Sequence, residues 1–126
     1  MREKTEEILA KLRELTQFKS VDLYAGQLDD PENYKRRLPG MLLFFRENPK
    51  TKQDYDYSQD VHFSLFLLHS NLQSRETQIL EMLDLIDIVI VKIKELKHMT
   101  IVDVIPVESS KTLVSFEIQF DYMESK

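Results

Sequence analysis

Three histidines, His62, His69 and His98, are the side chains in this sequence with the chemistry of a general base or a metal ligand. His62 and His69 fall in a stretch that alternates like a strand. They differ in parity, so they point to opposite faces and cannot easily share one metal ion. They read as ordinary surface or half-buried histidines. Two acid pairs, Asp29 with Asp30 and Asp84 with Asp87, could do general acid and base work only in a pocket that shifts a pKa. The first pair reads as solvated carboxylates in a loop, because Asp is rarely buried unpaired. The second sits in an otherwise apolar helix. It either forms the polar stripe by which that helix meets water or pairs with a basic residue of another subunit. The only glycines are Gly26 and Gly40, so no glycine-rich phosphate loop exists, and neither HxxxH nor HExxH occurs. Tyr55 and Tyr57, in "QDYDYSQD", are either an interface anchor or part of a plain exposed loop. No catalytic, cofactor or metal residue is assigned.

The 126 residues are expected to form one domain, 1–126, large enough to bury roughly two-thirds of the surface of its unfolded chain. The absence of cysteine rules out a disulfide framework and thiolate zinc sites, and fits a reducing cytoplasm. Net charge is -5 with acids and bases mixed along the chain, which argues against nucleic-acid binding through phosphate neutralisation. Lys35-Arg36-Arg37 is the one compact basic cluster. The N-terminus is charged throughout, with no signal-peptide core. The apolar-rich stretch from Ile79 to Ile93 is interrupted by Glu81, Asp84, Asp87 and Lys92 and is shorter than the roughly 20 residues a membrane span needs. A soluble protein is expected.

The elements that must position these residues follow from periodicity. Ile8, Leu9, Leu12, Leu15 and Phe18 form the stripe of an amphipathic helix over Thr5 to Phe18, with Thr5 as N-cap or a start nearer Arg2. Ser20 to Ala25 reads as a strand closed by Gly26. The charged excursion "QLDDPENYKRRL" then separates it from Met41 to Phe45, whose unbroken apolar run predicts a strand buried on both faces. Connections this long are more often functional than idle. A hairpin leads to an alternating strand over Asp60 to His69. Ser74 opens a helix, apolar around most of its circumference, that ends near Leu96-Lys97-His98. Met99 to Val107 and Lys111 to Tyr122 are the last strands, joined at Glu108-Ser109-Ser110. The final strand sets Val114, Phe116, Ile118, Phe120 and Tyr122 against a mostly polar face, which predicts a sheet covered on one side only. The fold class is α+β, a mainly antiparallel sheet of about five strands with two helices on its apolar face, in the order α-β-β-β-α-β-β.

With "VDLYAGQLDD", "LPGMLLFF" and the closing "TLVSFEIQFDY" in that order of elements, nearly the whole chain resembles the small tail-terminator or tail-completion proteins of tailed phages, and most of all the tail-terminator family of Mu-like prophages. The resemblance implies a structural protein without enzymatic activity or cofactor. Such a protein caps the tail tube, ends its polymerisation and joins the tail to the head connector, as a six-fold ring of copies. Its partners would be itself, the tail tube protein and the connector protein, with no membrane or nucleic-acid sequence recognised. It would reside in the host cytoplasm during assembly and then in the virion tail. The excursion Gln27 to Leu38 and the hairpin Glu47 to Gln59 look like the loops that reach neighbours or the tube in this family. On that basis Asp29, Asp30 and Glu32 face basic groups of a neighbour, Lys35, Arg36 and Arg37 face acidic ones, and Tyr55 and Tyr57 belong to an interface. The rival readings are another head-tail joining or minor tail protein, a small α+β ligand-binding module, and, weakest, an enzyme.

Overall fold

The computed structural model describes residues 2–27, 38–47, 61–70, 74–107 and 113–123. These form two helices and a five-stranded sheet: α1 Arg2–Leu12, β1 Ser20–Leu23, β2 Gly40–Glu47, β3 Val61–Ser70, α2 Arg75–Lys94, β4 Met99–Val107 and β5 Leu113–Tyr122. The class and element order are those expected from periodicity.

The sheet order is β1-β2-β3-β5-β4. Three of its four pairings are antiparallel, while β1 runs parallel to β2, with Ser20 opposite Gly40 and Leu23 opposite Leu43. Parallel neighbours must be joined by a crossover of about a dozen residues or more, because the chain has to return along the length of the strand before pairing again. The charged excursion after Gly26 therefore has a topological task before any other. Gly26 itself takes φ 90, a conformation that its lack of a Cβ makes accessible, where the chain leaves β1.

Both helices lie on the same face of the sheet. Ile8, Leu9 and Leu12 of α1 and Met82, Ile86, Val89 and Ile93 of α2 form one buried cluster with inward residues of β2, β3 and β5. The strand parity is as expected: Val61, Phe63, Leu65 and Leu67 of β3 and Val114, Ile118, Phe120 and Tyr122 of β5 all enter that cluster. Register lines up Phe45, Phe63 and Phe120 across three strands. Their ring centroids are 5.2 Å apart at each step, the Phe63–Phe120 pair being stacked. Cross-strand aromatic pairs of this kind add stability beyond their buried area.

Two expectations are corrected, the end of α1 and the bare far face. The first helix ends at Leu12, not Phe18. Leu15 and Phe18 are nevertheless buried, because successive turns with Leu15 N donating to Leu12 O and Phe18 N to Leu15 O continue the three-residue spacing without an α-helix. Of the two starts the sequence allows, the one nearer Arg2 is observed, and Thr5 lies buried inside α1. The sheet is also not bare on its far side. Leu42, Leu68, Leu113 and Leu38 form a second buried cluster there, with Tyr24 and Phe66 against it. The unbroken apolar run of β2 foretells this, since Met41, Leu42 and Leu43 are all fully buried. Ser74 caps α2 as expected, its Oγ accepting from the Thr77 N–H at 3.1 Å. Basic Lys92 and Lys94 lie in the last turn, favourable to the helix dipole.

The row of three rings leads to a direct test. Phe63, fully buried at its centre, should lose about 3–5 kcal/mol of unfolding free energy when changed to Ala, as core aromatic truncations do. Phe45→Ala, at an exposed end of the row, should cost clearly less in the same urea titration. Equal losses would show that the row does not carry the core.

Candidate interaction surfaces

The far face of β3 and β5 gathers most of the polar side chains that could do chemistry. His62 stands opposite Asp121 in the register, and its Nδ1 lies 2.7 Å from Asp121 Oδ1. Two residues along the same face, the fully buried Ser64 donates its hydroxyl to Glu117 Oε2 at 2.6 Å, and Gln119 Nε2 donates to the same oxygen at 3.1 Å. The residue types match a nucleophile, a base and an orienting carboxylate. The connections do not. A nucleophilic serine must hand its proton to the base, whereas Ser64 gives its hydrogen bond to a carboxylate outside the His62–Asp121 pair. The array is a cross-strand network that satisfies buried polar groups. Among the described buried side-chain polar atoms only Gln78 Oε1 lacks a partner. No group of three or more His, Cys, Asp or Glu side chains among the described residues can hold a metal ion.

His69 is on the opposite face from His62, as parity requires, with Nε2 3.6 Å from Glu81 Oε1 of α2. His98 follows α2 with φ 67, a left-handed conformation uncommon outside glycine, and its ring meets Tyr122 edge-on at 6.0 Å. Beside it an open groove of about 670 Å³ runs between α1 and the end of α2, lined in part by Lys4, Lys11, Glu95, Lys97 and Tyr122. Four of its charges are already matched: Lys4 with Glu7 at 2.9 Å, and Lys11 with Glu95 at 3.1 Å. Beside the groove, Lys92 pairs with Glu14 at 3.0 Å and Glu95 at 3.7 Å, so an ion-pair network ties α1 and the turn after it to the end of α2. The hydrogen bond from Lys11, followed by the charge of Lys92, lowers the Glu95 carboxyl below its ordinary range. The bond to Glu14 raises the Lys92 ammonium above its own. Glu95 therefore stabilises the fold at neutral pH and loses that contribution as pH falls through its lowered value. Lys92 contributes below its ordinary value and loses that contribution as pH rises through its raised one.

The outer side of α2 is different in character. Leu80, Leu83 and Val91 are 56%, 44% and 61% exposed and share one side of the helix. Asp84 and Asp87 are exposed between them. Both lie on the solvent-facing side of the helix, and neither makes an ion pair among the described residues. A shallow, mostly apolar hollow of about 360 Å³ lies beside this face, lined by Leu15, Asp87, Ile88, Val91, Lys92 and Glu95. No described helix is long and apolar enough to cross a membrane.

The sheet edges are both guarded. β1 has only four residues, and the long edge strand β4 is broken by a bulge between Ile101 and Asp103 and carries Pro106. Short strands, bulges and prolines all discourage pairing with a stranger's strand.

The residues that the sequence nominates for subunit or tube contacts, Asp29, Asp30, Glu32, Lys35, Arg36, Arg37, Tyr55 and Tyr57, lie outside the described residues. Sequence reasoning missed the His62–Asp121 and Ser64–Glu117 pairs. Their signal is the shared parity of the polar residues on β3 and β5, which becomes a contact only once register is known. A comparison of the chain with protein-family models finds no match, and neither does a comparison with curated proteins.

Two measurements test these assignments. If the far-face array is structural, Glu117→Ala strands the buried Ser64 hydroxyl and should cost about 1–3 kcal/mol in chemical denaturation, while Ser64→Ala, which removes the donor itself, should cost less. The reverse order would contradict the network. Lys92→Met should lower the melting temperature in about 0.01 M salt more than in about 1 M salt, because the screening length falls from about 30 Å to about 3 Å. A difference independent of salt would show that Lys92 acts through packing alone.

Proposed function

We propose that this chain is a structural phage or prophage tail protein that caps the tail tube, ends its growth and joins the tail to the head connector as a ring of copies. The observation that supports this most is the outer face of α2, where Leu80, Leu83 and Val91 are exposed around Asp84 and Asp87 on an isolated subunit. Surface of this kind is what an assembling subunit offers a neighbour. A ligand-binding module instead needs an enclosed cavity with convergent polar groups. The groove beside His98 is open, and Lys4 and Lys11 in its lining pair with Glu7 and Glu95. The far-face polar array, in which Ser64 and His62 are not linked, likewise favours an assembly role over hydrolytic chemistry. The order of elements and the resemblance of "VDLYAGQLDD" and "LPGMLLFF" to tail terminators supply the rest.

In this account the crossover from β1 to β2 does two things. It returns the chain for parallel pairing and presents a charged segment to neighbours. Asp29, Asp30 and Glu32 meet basic groups, and Lys35, Arg36 and Arg37 meet acidic ones, giving register and partner choice more than raw affinity. Tyr55 and Tyr57 in the β2–β3 connection add contact area to the tube or to the next copy. A minor tail protein at the head-tail joint is the second reading, favoured by the same face.

Native mass spectrometry over a range of concentrations tests the ring, with a six-subunit species or a ladder leading to it as the expected result. A stable dimer carrying a small molecule would favour the ligand-binding module. In an infected or induced host, reversing Arg36 and Arg37 to Glu should reduce the yield of infectious particles. Unchanged assembly and infectivity would contradict the role given to the charged segment.

A further inference from the structure

We infer that the outer face of α2 is the receptor for the basic triplet Lys35-Arg36-Arg37 of a second copy of this chain. The inference rests on the ring reading above and names the contact that would build it. Asp84 and Asp87 are one turn apart on an exposed helix face, and neither is paired among the described residues. Leu80 and Leu83 flank them on one side and Ile88 and Val91 on the other. A carboxylate pair bordered by apolar surface selects a particular partner: a side chain with an aliphatic stem and a cationic head. Arginine and lysine are the residues built this way, and arginine loses least when taken from water.

The hollow beside this face has the matching shape. Leu15, Ile88 and Val91 line an apolar bed with Asp87 among the lining residues, so an arginine stem can lie along the bed while its guanidinium meets the carboxylate. At the far end Lys92 and Glu95 are already tied to Glu14 and Lys11, which leaves Asp84 and Asp87 as the acceptors for an incoming cation. The chain offers one compact basic run to fill this role, residues 35–37, and it lies in the crossover after β1. Charge complementarity thus links an acidic receptor on α2 to a basic segment elsewhere in the chain, between β1 and β2. A contact between two different patches is heterologous, and heterologous contacts generate rings when the rotation closes.

The test uses full-length protein in sedimentation velocity at low salt, with two sets of reversals: Asp84→Lys with Asp87→Lys, and Lys35→Glu with Arg36→Glu and Arg37→Glu. Circular dichroism confirms folding, and Asp84→Asn with Asp87→Asn replaces the first set if it does not fold. Each set should weaken self-association at least tenfold, and high salt should mimic it. Mixing the two reversed proteins should restore association, because each face then meets its opposite charge on another molecule. Association that survives both sets overturns this contact and leaves the ring to be built by other surfaces. Reversals that weaken association without recovery on mixing overturn the pairing of these two patches, and a wild-type chain that never associates overturns the contact outright. Whether the protein stops tube growth is a separate readout, so loss of the contact and loss of the capping function are told apart.

Discussion

The antiparallel pairing of β3 with β5, unbroken from Val61 opposite Tyr122 to Ser70 opposite Leu113, is the constraint on which the rest of the molecule depends. It joins the two halves of the sheet, since β1 and β2 attach through β3 and β4 attaches through β5. Its register settles both faces at once. Phe63 meets Phe120 beneath the helices, and His62 meets Asp121 on the far side. A slip of one residue would exchange these sets and bury Asp121, Gln119 and Glu117 under α1 and α2. The apolar row therefore holds the register, and the polar pairs behind it penalise any other.

Once that pair is fixed, β2 adds to one side and β4 to the other, and the helices have a single apolar surface to cover. The ion pairs from Lys11 and Lys92 bind α1 to α2 across the top of this core. What remains outward on α2 is surface that the monomer's own packing does not use. Among the described residues, the molecule thus combines one buried core beneath the helices with exposed apolar side chains, Leu80, Leu83 and Val91, on the outer side of α2. Among the described residues Ser64 donates to Glu117, on the same face as His62 and its partner Asp121.

Much of this was legible in the sequence because side-chain parity records burial directly. The alternation of β5 and the unbroken run of β2 identified their faces, and Ser74 marked the start of α2 through its capping chemistry. Parity does not record strand direction, however, so the parallel pairing of β1 with β2 was invisible, and with it the topological reason for the long crossover. The end of α1 was misplaced because Leu15 and Phe18 keep helical spacing through turns that are not α-helical. His62–Asp121 was missed because a cross-strand pair depends on two segments far apart in the chain. The nominated interface residues, from Asp29 to Arg37 and at Tyr55 and Tyr57, were legible only as charge and composition, and they lie outside the described residues. Asp84 and Asp87 were legible as an interruption in an apolar helix, and the structure places both on its exposed side.

The central claim is that this protein ends the growth of a tail tube. The most direct measurement is the length of tubes, by electron microscopy, when purified tube protein polymerises with increasing amounts of the purified chain. Growth that stops at a length set by the added protein, with a ring of it at one tube end, is the predicted result. Tubes of unchanged length with no protein at their ends would contradict the account.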